Sequence, residues 1–377
     1  MNRINVIRSS MPPFEEYIEE IRGIWDSRWL TNCGPKHQEL EKALSKWLGV
    51  DQVSLFCNGH VSLEAAFSLF PAGSEVITTP FTYASTTLAI ARCGLLPVFC
   101  DIEPQFYTMD PKKIEALITE KTVALAPVHV YGNLCDWRRI QEIASKHNLK
   151  VIYDAAHAFG VRDGNVGVGS LGDISMFSLH ATKVFHTVEG GCLTYNAPEL
   201  SQRFTAWRQF GMYEKDCTEI LGTNAKMTEF SAAMGLCNLR HLEEQIAKRR
   251  IVAERYRDRL EGTAGLIFCP KQSGVTSNYA YMPVQIIDEQ FGEGRDELAQ
   301  RLAKKDVYVR KYFYPLTSQF PYFQTNFAIQ ETPVAAEVAE RILCLPLYAD
   351  LTPEEVDRVC DLILERHGAK EKTVLHE

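Results

Sequence analysis

Lys183 stands in an unusual setting for a lysine, between a predicted strand and a pair of glycines. The apolar run ISMFS ends at Ser178, five residues before Lys183, and the following loop closes on Gly190 and Gly191. Lysines usually lie on solvated loops, whereas an amine held in a sheltered position can attack a carbonyl carbon and form a Schiff base. Lys183 is therefore the first candidate for a catalytic residue. Whether it is a reactive amine or an ordinary loop lysine depends on the elements around it.

Residues that could bind a ligand or take part in catalysis follow other predicted strands as well. They are Gly59 and His60 after VSLFC, Tyr83 after EVITTP, and Asp154 and His157 after KVIY. In parallel sheets ligands bind at the carboxyl ends of the strands. We therefore expect these residues, with Ser178 and Lys183, to form one site.

The elements that position this site alternate along the chain. Helical patterns lie between β-rich runs from about residue 50 to 195, and the runs are VSLFC, EVITTP, LLPVFCD, TVALAPVHV, KVIYDAA, ISMFS and CLTYN. Such alternation predicts an α/β fold, with a mainly parallel sheet sandwiched by helices. A single long helical pattern then runs from about Met227 to Leu260 and lacks a sustained heptad. We interpret it as the connection between a large domain, residues 1–250, and a smaller C-terminal α+β domain, residues 251–377.

Composition excludes several classes of function. The 377 residues carry a formal net charge of −8, which opposes binding to nucleic acid or to an acidic membrane surface. The sequence has no apolar stretch long enough to span a membrane. Its eleven cysteines include no CxxC pair, so we predict no metal site and a reducing, cytoplasmic location. A small-molecule ligand or a protein partner is expected.

The candidate groups together match the needs of one cofactor. Taken alone, a glycine before a helix is usually a turn, and an aspartate at a strand end is often a helix cap. As a set, a phosphate-binding backbone at Gly59, an aromatic ring at Tyr83, the carboxylate of Asp154 and the amine of Lys183 are the parts that pyridoxal 5'-phosphate requires. The set therefore indicates this cofactor.

A family resemblance supports the same cofactor. The chain resembles the DegT/StrS-type sugar aminotransferases, which are fold-type-I pyridoxal-phosphate enzymes, in motifs spread from about residue 30 to 350: NCGPKHQELEKAL, PFTYAST, PVHVYG, YDAAHAFG, GSLGDISMFSLHATK, EGG, TNAKMTEFSAA and LCLPLY. The resemblance implies transfer of an amino group to a nucleotide-linked keto-sugar. It also implies a fold with a large cofactor-binding domain and a small C-terminal domain.

Carried over to this sequence, the resemblance assigns roles to the candidate residues. Lys183 would form the Schiff base with the cofactor, and Asp154 would be the partner of its ring nitrogen. The resemblance implies three further contacts with the cofactor. Tyr83 would stack on its ring, His157 would lie near its phenolic oxygen, and Ser178, Gly59 and His60 would bind its phosphate. The family commonly has Ser-Gly-Thr where this chain has NGH, residues 58–60, so backbone contacts to the phosphate are expected here.

The resemblance also implies partners. Glutamate would donate the amino group, and Asn224 would reach the phosphate of a neighbouring subunit's cofactor in a homodimer with shared sites. At a finer level, the runs RSSMPPFEEY, SRWLTNCGPKHQELE and PVHVYGNLCDW resemble the branch that converts dTDP-4-keto-6-deoxyglucose to dTDP-4-amino-4,6-dideoxyglucose. Candidate groups for binding the sugar or its diphosphate are Lys311, Tyr312 and Tyr314.

Three alternatives stay open at this point. The family often has a histidine near Thr317, and its absence keeps a 3-keto-6-deoxyhexose aminotransferase as an alternative. A second alternative is a pyridoxal-phosphate-dependent sugar dehydratase that retains its lysine, since the related dehydratases with histidine at this position do not match Lys183. The third is a regulatory protein that binds cofactor or sugar without turnover, although a pure binder needs neither Lys183 nor Asp154.

Overall fold

The computed structural model describes residues 3–365, and fifteen strands lie within this range. In chain order these strands are β1 (Gln52–Phe56), β2 (Glu75–Thr78), β3 (Leu96–Phe99), β4 (Thr122–Ala126), β5 (Lys150–Asp154), β6 (Arg162–Asp163), β7 (Val166–Gly167), β8 (Ile174–Ser178), β9 (Gly191–Tyr195), β10 (Met212–Glu214), β11 (Cys217–Thr218), β12 (Leu266–Phe268), β13 (Val275–Thr276), β14 (Met282–Ile286) and β15 (Ile342–Leu345).

The same part of the chain forms thirteen α-helices, joined in places by short 3-10 turns. They are α1 (Phe14–Ser27), α2 (Pro35–Leu48), α3 (Gly59–Phe67), α4 (Ala84–Arg92), α5 (Pro111–Ile114), α6 (Trp137–His147), α7 (Leu200–Trp207), α8 (Glu229–Leu260), α9 (Asp288–Phe291), α10 (Arg295–Ala303), α11 (Pro321–Asn326), α12 (Pro333–Arg341) and α13 (Pro353–Leu364). None of the helices between residues 3 and 365 has the length and apolar character that crossing a membrane requires.

A seven-stranded sheet with the order β1-β9-β8-β5-β4-β2-β3 positions the candidate site. All seven predicted runs are strands of this sheet, and only β9 runs antiparallel to its neighbours. The predicted mainly parallel sheet is therefore confirmed. A parallel neighbour needs a long crossover, usually a helix, whereas β8 and β9 are joined directly by the loop that contains Lys183. The missing helix explains the reversed direction of β9.

Side chains at the helix ends explain where the connections around the sheet begin and stop. Asn58 caps α3 by accepting the backbone N–H of Val61 at 2.9 Å, and Asp136 caps α6 by accepting that of Arg139 at 3.2 Å. Asn148 ends α6 in the left-handed conformation, which asparagine tolerates better than most residues. Helix α3 therefore starts directly beyond the carboxyl end of β1, where ligands bind, whereas α6 starts farther from the end of β4.

The C-terminal part contains the predicted mixture of helices and strands. Strands β12, β14 and β15 form an antiparallel sheet, and the second half of α8 packs on it through Val252, Tyr256 and Leu260. Ile4 belongs to the same apolar cluster and forms a bridge with Val307. The predicted long helix is confirmed, and residue 250, the predicted domain boundary, lies inside it. The division into two domains stays a prediction.

The eleven cysteines are all free thiols, and seven of them are buried. Buried thiols behave as small apolar side chains. Apolar runs such as VSLFC and LLPVFCD predict buried cysteines; Cys100 in the second run is buried, whereas Cys57 at the end of the first is only partly buried. The cytoplasmic location that we predict from these cysteines stays a prediction.

Candidate active site

Four of the predicted groups meet at the carboxyl edge of the seven-stranded sheet. Asp154 ends β5, and Ser178 ends the neighbouring strand β8. Gly59 begins α3, and a Cβ atom at this position would lie 3.0 Å from Ser178 Cβ and 3.1 Å from Ser178 Cα. Tyr83 precedes α4, whose Thr86 contacts Asp154. The expectation that one sheet edge carries these residues agrees with this geometry.

The loop that carries Lys183 is fixed by its own backbone. Lys183 N–H donates to His180 O at 2.9 Å, and Ala181 N–H donates to Val188 O at 2.7 Å. A Cβ atom on Gly191 would lie 2.5 Å from the backbone of Asn58, so only glycine allows the loop to close against α3. The glycine pair noted in the sequence therefore sets the position of the lysine.

The amine of Lys183 lies in a sheltered polar environment. Its Nζ donates to Tyr281 Oη at 3.4 Å. Burial lowers the pKa of Lys183, while the nearby Asp154 carboxylate acts in the opposite direction. Desolvation disfavours the ammonium form, so the neutral amine is populated at a lower pH than in an ordinary lysine. An amine of this kind can act as a nucleophile and as a proton carrier.

The carboxylate of Asp154 is only 5% exposed and is held by two donors. Thr86 Oγ1 donates to Oδ2 at 2.6 Å, and Ala156 N–H donates to Oδ1 at 3.0 Å. Burial raises the pKa of Asp154, opposed by these two hydrogen bonds and by Lys183. Within residues 3–365 no salt bridge satisfies this carboxylate. A buried carboxylate in this state is suited to a cationic ligand group.

A cradle for a phosphate is present where α3 begins. The first N–H groups of a helix have no partner within the helix and attract anions. The side chain of His60 is occupied by Ser85 Oγ at 3.0 Å and by Glu64 Oε1 at 3.1 Å, which leaves its backbone as the group available to a ligand. Gly59 and Ser178 are in close contact at the same point, so the cradle lies between α3 and the end of β8.

The two predicted ring contacts differ in their surroundings. His157 is buried, and its Nδ1 accepts the backbone N–H of Tyr131 at 3.0 Å. Burial and the neighbouring Lys183 lower the pKa of His157, so the ring is neutral and its proton is on Nε2. Tyr83 is 61% exposed, and its side chain makes no hydrogen bond that caps α4. Its ring therefore has a face available for a flat ligand.

The four remaining candidate residues, Asn224, Lys311, Tyr312 and Tyr314, do not lie together in one place. Asn224 is exposed, and its Oδ1 accepts from Lys226 Nζ at 2.6 Å. Tyr312 lies 5.9 Å from the ring of Tyr281 and so borders the lysine. Lys311 and Tyr314 instead contact α10: Lys311 Nζ pairs with Asp296 at 2.8 Å, and the guanidinium of Arg295 lies 4.5 Å from the ring of Tyr314. The roles of all four residues stay predictions.

Tyr281 and Thr86 contact the central groups but escaped the sequence analysis. Tyr281 immediately precedes β14, and its ring centroid is 4.6 Å from that of His157. The only sequence signal was the aromatic residue in SNYAYMPVQII, which is typical of any half-buried strand. Thr86 follows Tyr83 by three residues, one turn into α4, a spacing that places both on one helix face. That signal was available from the sequence.

These residues fit pyridoxal phosphate. A Cβ at Gly59 would press on Ser178 at the start of α3, so glycine allows the helix N-terminus to lie beside this side chain. The buried Asp154 forms no salt bridge among the described residues, and Lys183 supplies an amine of lowered pKa. Lys183 and Asp154 are the groups that would hold the two ends of the cofactor ring system. The chemistry of the donor set thus agrees with the cofactor expected from the sequence.

Comparisons with known proteins identify relatives along nearly the whole chain. The model of the DegT/DnrJ/EryC1/StrS aminotransferase family matches residues 14–364. The dTDP-4-amino-4,6-dideoxy-D-glucose transaminase of Shigella dysenteriae is 39% identical over 362 residues, which cover 96% of this chain and 98% of that protein. The match extends from the N-terminal helices to α13, so it includes every candidate residue.

Solved structures with the same fold include two sugar-related proteins. The structure of DesI in the presence of its TDP-sugar product superposes with a TM-score of 0.93 at 31% identity, over 100% of this chain and 96% of DesI. Spr1654 from Streptococcus pneumoniae, solved in its PLP form, gives a TM-score of 0.88 at 26% identity over 96% of this chain and 98% of that one. With the family match and the fitting site, these findings show that the chain belongs to the DegT/DnrJ/EryC1/StrS aminotransferase family and is a pyridoxal-phosphate-dependent transaminase.

Proposed function

We propose that the protein transfers an amino group from glutamate to dTDP-4-keto-6-deoxyglucose, giving dTDP-4-amino-4,6-dideoxyglucose. The observation that carries the transaminase chemistry is the juxtaposition of the Lys183 amine, of lowered pKa, with the buried carboxylate of Asp154. The name of the Shigella relative supports the sugar and the carbon that receives nitrogen. The product named with DesI, a TDP-sugar, supports the nucleotide.

The chain's own groups perform distinct tasks in this reaction. Bound pyridoxal phosphate supplies an aldehyde that condenses with amines and a ring that accepts the electron pair left when a neighbouring carbon loses its proton. Asp154, held by Thr86 and Ala156, keeps a proton on the ring nitrogen through a charge-assisted hydrogen bond. Lys183, once free as a neutral amine, removes the proton from the amino-acid carbon and later returns one to the sugar carbon.

The substrate side of the site is lined by aromatic rings. The rings of Tyr281 and Phe313 lie next to His157, and the ring centroid of Tyr312 is 5.9 Å from that of Tyr281 and 5.2 Å from that of Phe313. The guanidinium of Arg310 lies 5.4 Å from the ring of Tyr312. Aromatic faces suit the apolar face of a deoxysugar, and a nearby arginine suits a diphosphate. This arrangement supports a nucleotide-linked sugar as acceptor.

The acceptor assignment is tested by competition between sugars. With glutamate as donor, we expect the specificity constant for dTDP-4-keto-6-deoxyglucose to exceed that for a dTDP-3-keto-6-deoxyhexose at least about a hundredfold, because a sugar site loses strongly when its hydrogen bonds to hydroxyls go unpaired. Products are identified by mass and NMR, and 2-oxoglutarate is measured in parallel. A larger constant for the 3-keto sugar contradicts the carbon-4 assignment. An absence of 2-oxoglutarate contradicts the glutamate assignment.

Tyr281 is expected to position the amine of Lys183. Replacing Tyr281 by Phe keeps the ring against His157 and removes only the hydroxyl that contacts Nζ. We expect kcat to fall about tenfold, the value of one hydrogen bond, with little change in KM for the sugar. Stopped-flow spectra of the glutamate half-reaction report the proton-transfer rate directly. An unchanged rate of that half-reaction would remove Tyr281 from the mechanism.

A homodimer with shared sites is also part of the proposal. Asn224 is exposed, and apolar side chains nearby face solvent: Leu221 is 93% exposed, and Phe210, whose N–H donates to Thr223 O, is 49% exposed. Exposed apolar groups gathered around one polar residue are typical of a surface that a partner covers. We infer that the partner is a second copy of this chain and that Asn224 reaches its cofactor phosphate.

Mixing two inactive variants tests the shared site. If Asn224 serves the partner's site, then Asn224→Ala and Lys183→Ala subunits should complement each other, because one site of the mixed dimer has both residues. We expect about a quarter of wild-type activity after subunit exchange, since half of the dimers are mixed and half of their sites are intact. Each variant alone is the control. No recovery in verified mixed dimers, or an active monomer in sedimentation, contradicts the proposal.

A further inference from the structure

Cys33 lies in a loop between α1 and α2 that is fixed to another part of the chain. The carboxylate of Glu229 accepts the backbone N–H groups of Lys36 at 2.7 Å and His37 at 3.2 Å. Glu229 N–H in turn donates to Leu30 O at 3.0 Å. The loop is thereby held at both ends by the first residue of α8, and the thiol of Cys33, which is partly exposed, has a defined position.

His37 lies beside this thiol and is oriented by a carboxylate. The imidazole is 0% exposed, and its Nε2 lies 3.1 Å from Glu41 Oε1. Glu41 Oε1 is also held by Arg208 Nη1 at 3.0 Å and by Leu55 N–H at 3.2 Å. The other ring nitrogen, Nδ1, is buried and has no hydrogen-bond partner among the described residues, and the imidazole interacts with the thiol of Cys33. Thiol, imidazole and carboxylate thus follow the order nucleophile, base and orienting group.

The charges around Cys33 favour its thiolate. Burial raises the pKa of the Cys33 thiol and Glu41 acts in the same direction, but the interaction with His37 and the positive charge of Arg208 outweigh them, so the net change is downward. Burial lowers the pKa of His37, but Glu41 and Cys33 raise it to about 9, so the imidazole is charged at neutral pH. By contrast, burial raises the pKa of Cys93 to about 12. A thiolate beside a histidinium is the reactive form of cysteine.

A contact connects Cys33 to the proposed shared site. Gln209 Nε2 donates to Cys33 Sγ at 3.9 Å, and the backbone of Gln209 forms an antiparallel bridge with Asn224. A group added to the sulfur therefore disturbs the contact with the side chain of Gln209. The backbone of Gln209 is bridged to Asn224, the residue that, under the proposed function, reaches the cofactor of the partner subunit.

We propose that Cys33 is a modification site at which low-molecular-weight disulfides cap the thiol and reduce transaminase activity through Gln209 and Asn224. The thiolate attacks one sulfur of the disulfide, the original S–S bond breaks, and a mixed disulfide forms with Cys33. The leaving thiolate takes up a proton, so that the Cys33 sulfur is oxidised while one half of the reagent is reduced to a thiol. The effect on activity rests on the proposed function, whereas the reactivity of the thiol does not.

The reactivity is tested on the intact holoenzyme with limiting iodoacetamide and peptide mass mapping. Cys217 is the control, because it is the exposed cysteine among the eleven. At pH 7 we expect Cys33 to be alkylated at least tenfold faster than Cys217, with a rate that reaches its half-maximum at a lower pH. Equal or slower labelling of Cys33 at pH 7 overturns the proposal, including the case in which a subunit interface covers it.

Two variants separate the electrostatic cause from misfolding. His37→Gln removes the cation beside the thiol, and Glu41→Gln removes the carboxylate that holds the imidazole. In variants whose thermal unfolding still matches the wild type, we expect Cys33 labelling at pH 7 to slow about tenfold while Cys217 labelling is unchanged. Cys33 labelling as fast as in the wild type overturns the role of His37. The pH profile of the unmodified protein gives an independent answer if both variants unfold.

The effect of the modification on transaminase activity is tested with oxidised glutathione as the disulfide. We expect one glutathione on Cys33 per chain and a loss of at least 80% of transaminase activity that dithiothreitol reverses, while Cys33→Ser keeps its activity under the same treatment. Full activity with Cys33 quantitatively capped overturns the regulatory part of the proposal. Transaminase activity before treatment is the check on the proposed function, so the two failures are distinguishable.

Discussion

Lys183→Ala is expected to abolish turnover, with a fall in kcat of at least about a thousandfold, because the variant loses both the covalent attachment and the base that moves the proton. The cofactor should still bind through the phosphate cradle of Gly59 and Ser178. Its visible spectrum should then be that of the free aldehyde rather than of the lysine-bound form. Absorbance spectra and single-turnover kinetics with glutamate measure both effects.

The attachment point can be mapped directly. Borohydride reduction of the wild-type holoenzyme, followed by proteolysis and mass spectrometry, should find the pyridoxyl group on Lys183. Lys150→Ala is a suitable control, because the side chain of Lys150 is 62% exposed and pairs with Asp173 at the opposite end of β5. That variant should keep normal spectra and turnover. A label on another lysine would defeat the assignment.

Asp154→Asn is expected to slow both half-reactions about a hundredfold, the loss associated with a charge-assisted hydrogen bond of roughly 3 kcal/mol. Asparagine keeps the shape of the side chain but cannot hold the ring nitrogen protonated. The apoprotein should not lose stability, because burial raises the pKa of Asp154, and so the folded state without ligand already disfavours the charge. Rapid-scan spectra with glutamate and thermal unfolding of the apoprotein measure the two effects.

The matched control for Asp154 is Thr86→Val. This substitution removes the hydroxyl that donates to Oδ2 at 2.6 Å and leaves the carboxylate in place. We expect the rates of both half-reactions to decrease about tenfold, in line with the loss of one hydrogen bond. Near-normal turnover of Asp154→Asn would contradict the role of the carboxylate, whereas a lower unfolding temperature of its apoprotein would point to a structural role instead.

Much of the site followed from local sequence patterns. Strands that are buried on both faces appear as short apolar runs, and the polar residue that ends each run lies at a predictable edge of the sheet. Asp154 and Ser178 were found in this way. Their roles came from the resemblance of the surrounding motifs to a known family. The order of strands and helices along the chain was also predictable, because each element has its own pattern of neighbouring apolar and polar residues.

Contacts between distant segments could not be read from these patterns. Tyr281 is 98 residues from Lys183 in the chain, and its run is typical of any half-buried strand. The side chains of Lys311 and Tyr314 are directed to α10 by Asp296 and Arg295, which no local pattern indicates. Periodicity reports whether a side chain is buried and leaves its partner unspecified.

The sequence by itself determined the α/β class, the succession of strands, and the residue types that suit pyridoxal phosphate, because each depends on neighbours within a few positions. Tertiary structure alone decided that β9 inserts antiparallel between β1 and β8, that Thr86 holds Asp154, and that His37 lies beside Cys33. These features depend on the order of strands in the sheet and on packing between segments far apart in the chain. Their effects on pKa arise only when burial and charge are brought together in space.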